Sequence, residues 1–370
     1  KGAVLDHKCV TSLSTTDLKA SLRRLESVLY DLCCDFYKAE CKRVKKLKDR
    51  VHKHTQAKLL VRLQFKVAFF AEMGNDSTSA LKYYNLASTS LHQIAMRVNG
   101  GGDRLAQIEV KLVAHLVAFK CIRMLLGLGK VNEALDAFDT HIARYDVQLD
   151  MRGLPELDFL HCAWMAKQYC TLGDLLDFFS SVSGTAGPVA QVMRTRHRNP
   201  GYYFQTAASY ALDRKRAAQR ALPNLPIGAS GGAGAVAVTM LGPQPLLPPP
   251  VYIGQVLLAA GLDDHAMSSV LNTPAGAALG AGMPSSAAVF VAEHVDKQRR
   301  VVDVMRRVEA YVDHSSVIID LLTKSYESFK TFKSNRMILH VASQMAEEYL
   351  SSGNHSMAKR FFDRIAKTYR

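Results

Sequence analysis

The sequence predicts an all-α chain, an irregular α-solenoid of helical hairpins, and three observations carry that prediction. Apolar residues recur at steps of three and four: Leu25, Leu29, Leu32 and Phe36 in one stretch, Met337, Ile338, Val341, Ala342, Met345 and Tyr349 in another. Such spacing lines one face of a helix, and Arg336, His340, Gln344, Glu347 and Glu348 take the opposite face of the second. No run alternates apolar and polar over six residues, as a half-buried strand would. Three segments also share one start: Gly, a short polar stretch, Ala, then an aromatic four residues on.

Those starts are Gly74…Ala80…Tyr84, Gly129…Ala134…Phe138 and Gly353…Ala358…Phe362. Gly turns the chain out of one helix, small Ala lets two backbones approach, and the aromatic fills the gap to the next helix. Gly173-Asp174 before LLDFF reads as a fourth, degenerate turn. The units resemble tetratricopeptide-like pairs, which bury their apolar faces by stacking on neighbours. The 54 residues from Ala80 to Ala134 exceed the tetratricopeptide period of about 34, hence an irregular array. Helices are predicted over 17–50, 56–73, 76–97, 103–127, 131–148, 155–172, 200–220, 295–312, 314–332, 335–351 and 354–369.

With 370 residues, 48% hydrophobic and 22% charged, the composition is that of a folded protein. Residues 221–290 stand apart. They hold nine of the 12 Pro, ten of the 23 Gly and only Asp263 and Asp264 as charges. Pro removes a backbone donor and Gly costs backbone entropy, so this stretch reads as a poorly ordered insertion. The expected organisation is one helical array in two parts, 1–220 and 291–370, interrupted by 221–290. The chain opens on Lys1 and ends at Arg370 inside a helical pattern, as a fragment of a longer protein does.

Enzyme signatures fail. Gly129-Lys130 lacks the upstream Gly of a phosphate loop, and neither Gly100-Gly101-Gly102 nor the Gly231 run follows a strand; HExxH and GxSxG are absent. His161 and Cys162 are adjacent, hence about 100° apart on a helix and unable to act as base and nucleophile. Trp164, the one Trp, reads as a core anchor. Asn199-Pro200-Gly201-Tyr202 reads as a helix cap and first turn. Seven Cys without a CxxC pair argue against a disulfide framework and for a reducing compartment. Cys33, Cys34 and Cys41 with His52 and His54 lack the short pairing of zinc ligands and read as thiols in a packing seam. No cofactor and no metal is expected.

The basic run is the one candidate site. From Lys38 to Lys66 eleven Lys/Arg face only Glu40 and Asp49, nine charges of the net +14. On a helical projection Lys38, Lys42, Lys45, Lys46 and Lys53 share one side, with Arg43 beside them. Phe36, Val44, Leu47 and Val51 take the other, so the helix is expected to dock on that stripe and present a positive ridge. The ridge suits acidic partner proteins or an anionic membrane; direct binding of membrane or RNA is the alternative, with nucleic acid disfavoured. A solvated face is the plain reading. A second cluster, Arg194, Arg196, Arg198, Arg214, Lys215 and Arg216, flanks a hairpin.

Residues 36–87, HCAWMAKQY (161–169) followed by GDLLDFF, NPGYYFQTAASYALDRK (199–215), YIGQ (252–255) and 314–370 resemble, in order, the foie gras domain of subunit eleven of the TRAPP (transport protein particle) complexes. The departures are 221–290 and VSGTAGPVAQVMRTRHR (182–198), which look like loop expansions. The resemblance implies an α-solenoid arm on a multisubunit tether that activates Rab GTPases in ER-to-Golgi transport and autophagy. Exchange belongs to core subunits, so no catalytic residue carries over. Other TRAPP subunits, and a Rab GTPase indirectly, are the implied partners. The implied location is cytoplasmic, peripheral to Golgi and ER–Golgi intermediate membranes. The family motifs fall on Trp164, Asn199, Pro200, Gly201 and Tyr202.

Overall fold

The computed structural model describes residues 15–99, 104–146, 158–183, 199–222, 306, 309–310 and 312–369. All regular structure among them is helical. The ten helices are α1 (Thr15–Lys48), α2 (Ala57–Met73), α3 (Ser77–Asn99), α4 (Arg104–Gly127), α5 (Val131–Asp146), α6 (Asp158–Ser183), α7 (Pro200–Ala221), α8 (His314–Thr331), α9 (Asn335–Ser351) and α10 (His355–Tyr369). The expectations for 223–290, for most of 295–312 and for 184–198 lie outside the described residues.

Four connections are the same turn. The chain takes a left-handed conformation at Asn75 (φ 61°), Gly129 (φ 72°), Lys333 (φ 55°) and Gly353 (φ 80°). In each turn the next amide reaches back five residues: Asp76 N–H to Ala71 O (2.8 Å), Lys130 to Leu125 (2.9 Å), Ser334 to Phe329 (2.9 Å) and Asn354 to Tyr349 (2.8 Å). This satisfies carbonyls at the helix end. The following helix starts at once, capped by Asp76 on Ser79 N (3.0 Å) in α3 and by Asn354 on Met357 N (3.3 Å) in α10. Ala80, Ala134 and Ala358 stand five residues past the left-handed position and are buried. Two of the three predicted glycine turns hold at the glycine, but of the predicted gap-filling aromatics only Tyr84 and Phe138 are buried; Phe362 is 43% exposed and Phe361 packs on the core instead. In the first, Gly74 keeps φ −82° and Asn75 makes the turn.

Gly173-Asp174 is not a turn: α6 runs through it to Ser183. A Cβ on Gly173 would stand 2.7 Å from Phe204 Cε1, so the missing side chain admits a ring of α7 rather than bending the chain. The pattern marked the glycine correctly and gave it the wrong purpose.

Each helix packs chiefly on its sequence neighbours, α1 on α2 through α4 on α5, then α6 on α7 through α9 on α10, with α4 also touching α6. The core is accordingly a chain of overlapping clusters. Cys41 and Val44 of α1 meet Val67, Ala68, Tyr84 and Cys121. Leu91, Ile94, Ala114, Tyr145, Trp164 and Met165 form a second cluster, and Phe119, Ile122, Phe138, Leu172 and Leu176 a third. A fourth joins α7 to α8 and α9 through Phe204, Ala208, Leu321, Phe329, Val341 and Met345. Tyr169 packs against the last three. Trp164 is the buried anchor its sequence context predicts.

Candidate interaction surface

The basic ridge is carried by the C-terminal half of α1 and the 49–56 connection. The docked stripe differs from the expected one. Cys34, Cys41 and Val44 are buried, with Tyr37 and Lys48 half-buried between and beyond them, a run of 3- and 4-residue steps. Phe36 and Leu47 are exposed. The seam follows its small side chains: the Cys41 thiol reaches Val67 O on α2 at 3.7 Å, an approach that Phe36 or Leu47 would prevent. Cys34 and Cys41 thus belong to a packing seam as expected, whereas Cys33 is exposed.

The six ridge residues divide into three kinds. Lys42, Lys46 and Lys53 are exposed and make no ion pair among the described residues. Lys38 lies 4.0 Å from Asp35, and Arg43 clasps Glu40 with Nη2 2.7 Å from Oε2. That hydrogen bond holds the Glu40 carboxyl below its usual range and raises the Arg43 guanidinium. Lys45 turns inward, its ammonium 5.1 Å from the centroid of the Tyr83 ring, and Lys48 lies 5.9 Å from the same ring while pairing with Asp49 at 2.7 Å. The outward positive charge is therefore narrower than the count of lysines suggests.

The second cluster dissolves into internal ties. Arg194, Arg196 and Arg198 lie outside the described residues. Arg214 is buried against Glu309, Lys215 reaches Glu348 at 2.7 Å, and Arg216 pairs with Asp213 at 3.2 Å. The Asn199–Tyr202 motif is likewise structural. Asn199 Oδ1 accepts from Gly201 N (2.7 Å) and from Ser328 Oγ (3.0 Å), which pins the start of α7 to α8. Gly201 lets the Phe329 ring lie where a Cβ would be 2.9 Å away, and the Tyr202 ring meets Phe329 edge-on at 4.9 Å.

Titratable groups elsewhere serve packing. Gln168 Oε1 accepts from His115 Nδ1 (2.9 Å) and His141 Nε2 (3.1 Å), joining α4, α5 and α6. Burial lowers both imidazoles, His141 to about 4. His161 Nδ1 lies 3.2 Å from Lys111 Nζ. Burial pushes the thiols up, Cys121 to about 12, Cys162 and Cys170 to about 11, the opposite of an activated nucleophile. A cleft of about 300 Å³ between α3, α4 and α5 is lined by Asn85, Ser88, Thr89, Asp136, Thr140 and Arg144. It brings the Cys121 thiol together with the Ser88, Thr89 and Thr140 hydroxyls and the Asn85 amide, whose Oδ1 accepts from the thiol at 3.6 Å.

No helix among the described residues is long and apolar enough to cross a membrane. Comparison with known proteins gives the surface its context. A family model described as foie gras liver health family 1 matches residues 107–370. The chain is 31% identical over 367 residues to trafficking protein particle complex subunit 11 of Bos taurus. It is 29% identical to the subunits of that name from Homo sapiens and Gallus gallus. Each alignment covers 99% of this chain and 28% of the relative, so the chain spans just over a quarter of the curated relatives it matches.

Proposed function

The chain belongs to the foie gras family, and from that premise we propose that it is a non-enzymatic interaction subunit of a TRAPP-type vesicle-tethering complex. In this reading it works in ER-to-Golgi transport and autophagy and supports activation of a Rab GTPase by core subunits. It resides in the cytoplasm, peripheral to Golgi and ER–Golgi intermediate membranes. The observation that carries the reading is likeness to trafficking protein particle subunit 11 along 99% of the chain. Helices that pack chiefly on their sequence neighbours support it physically, because such packing leaves outer helix faces free for docking. The three-part organisation, 1–220 and 291–370 as one array with 221–290 inserted, belongs to the same reading.

Lys42, Lys46 and Lys53, with Lys38, Arg43 and Lys45 behind them, form the proposed contact for an acidic subunit or an anionic leaflet. The test is purification of the full-length chain from a native lysate, followed by assay of Rab nucleotide exchange in the eluate. Core exchange-factor subunits should co-elute with that activity; their absence would refute the reading. A second reading, direct binding of anionic membrane or RNA, is favoured by the three exposed lysines that make no ion pair among the described residues. Liposome flotation at low and high salt and RNA titration separate it. Charge reversal at Lys42, Arg43, Lys45 and Lys46 should abolish such binding, and unchanged binding would make the ridge a solvated face.

A further inference from the structure

Helices α2 and α4 leave a cationic, partly apolar groove between them on the side turned away from the core. Val61 near the start of α2 shares a core cluster with Val110 and Ala114 near the start of α4. Glu72 near the end of α2 meets Lys120 late in α4 at 3.1 Å, so the two helices run side by side in one direction. The buried face of α2 is Leu60, Val61, Gln64, Val67, Ala68 and Ala71. Lys58, Arg62 and Lys66 follow one another at steps of four on the opposite side, all exposed. On α4 the uncovered stripe is Glu109, Val113, Leu116, Lys120 and Arg123, at steps of 4, 3, 4 and 3. Leu116 is 59% exposed and Val113 39%. The half-buried Phe69 of α2 completes the apolar floor, with the Lys120 ammonium 5.8 Å from its ring centroid.

The charges of this groove are one-sided. The two helices carry only two carboxylates, Glu72 and Glu109. Glu72 is committed to Lys120 and to the Tyr84 hydroxyl, which donates to its Oε2 at 2.6 Å. Lys58, Arg62, Lys66 and Arg123 make no ion pair among the described residues, so Glu109 alone opposes four exposed cations. Exposed apolar side chains set among uncompensated charge mark a contact for a partner of the opposite sign.

We propose that the groove takes an acidic amphipathic helix of a partner protein, whose apolar stripe covers Phe69, Val113 and Leu116 and whose Asp and Glu residues line both flanks. The proposal rests on the reading of the chain as an interaction subunit and names the chemistry of one partner. Two parallel helices offer a groove into which a third packs ridge into groove. From Glu109 to Arg123 the groove is about 21 Å long, or four turns of the incoming helix. Carboxylates four residues apart on that helix match the spacing of Lys58, Arg62 and Lys66 on one wall, and Arg123 faces its other flank. An anionic leaflet fits less well. It needs large apolar side chains that project past the cations, whereas Phe69 is half-buried with Lys120 over its ring.

The test places the photo-cross-linking residue p-benzoylphenylalanine at Leu116 of the full-length chain in its own cells and identifies the joined peptide by mass spectrometry. The expected product is one protein segment whose apolar residues recur at steps of three and four among Asp and Glu. Cross-links to lipid or nucleic acid, to a segment without that pattern, or to nothing overturn the proposal. Arg62→Glu with Arg123→Glu should lower recovery of the cross-linked partner by about 10-fold or more. Exchange of the partner's facing Asp and Glu for Lys should restore it. Helical content and unfolding midpoint should be kept, because both arginines are exposed and outside the core clusters. Recovery that is unchanged, or lost without rescue, overturns the proposal. Core exchange-factor subunits are scored in the same eluates: their absence beside the parent chain refutes the trafficking reading, while the groove stands or falls on the cross-link and its rescue.

Discussion

Arg214 and Glu309 stand 95 residues apart in sequence and form a doubly bonded ion pair, Nε to Oε1 at 2.6 Å and Nη2 to Oε2 at 2.7 Å. Their side chains are 2% and 0% exposed. The pair fastens α7 to the chain just ahead of α8, across the compositional break. Buried charges cost several kcal/mol to desolvate, and forked geometry recovers that cost only while both partners are present. Arg214→Ala or Glu309→Ala should therefore each destabilise by about 3–5 kcal/mol, whereas Arg214→Met with Glu309→Leu should cost far less. Urea denaturation of the three variants checks this. Equal losses in single and double variants would show that packing, not the unpaired charge, dominates.

Gly173 and Gly127 test whether a helical glycine is there for close approach. A Cβ at 173 meets three Phe204 ring atoms at 2.7–3.0 Å, while one at 127 finds only Phe179 carbons at 3.8–3.9 Å. Gly173→Ala should cost about 1–3 kcal/mol as α6 and α7 are forced apart. Gly127→Ala should be neutral or gain up to about 1 kcal/mol from reduced chain entropy. Thermal midpoints moving in the same direction for both would contradict the packing argument.

How much was legible in the sequence depended on whether a feature is local. Gly129 and Gly353 announced their turns because a left-handed residue favours glycine, and Asn199-Pro200 announced a helix start because capping uses adjacent residues. The break at 333–334 falls where the predicted helices 314–332 and 335–351 leave it, but without a glycine nothing marked Lys333 as its left-handed residue. On α1 periodicity marked Leu25, Leu29, Leu32 and Phe36 as apolar, but a repeat on one helix cannot say which face its neighbour covers. The ridge lysines were readable as charge; that Lys45 lies on Tyr83 was not, since the ring comes from α3. Glu309, the partner of Arg214, had no sequence signal for the same reason.

Acid should loosen the array through its buried imidazoles. Burial lowers His141 and His314 to about 4, with Glu309 partly opposing the shift at His314. Both lie below the unfolded value near 6.5, so between about pH 6.5 and 4 the unfolded chain binds more protons. Stability is then complete above about pH 6.5 and falls as pH drops toward 4, by about 3 kcal/mol at most for one such histidine. Urea midpoints at several pH values should show this slope, and His141→Gln should flatten it. A midpoint that rises on acidification would contradict the assignment.

The four matched turns allow one stabilising change to be chosen on geometry. Lys333 holds φ 55° where Gly129 and Gly353 hold the equivalent positions without a Cβ. A left-handed conformation costs a side-chain-bearing residue about 1–2 kcal/mol. Lys333 is exposed and its ammonium makes no ion pair among the described residues, so little opposes the gain from removing the side chain. Lys333→Gly should therefore raise stability by about 1 kcal/mol, less the extra entropy of the unfolded glycine. Asn75→Gly relieves the same strain but loses the hydrogen bond to Tyr30, so its net effect should be near zero. Gly353→Ala, with open space around its Cβ but φ 80°, should destabilise through backbone strain alone. The order of unfolding midpoints, Lys333→Gly above the parent and Gly353→Ala below it, separates strain from contact, because neither substitution removes or adds a packed side chain.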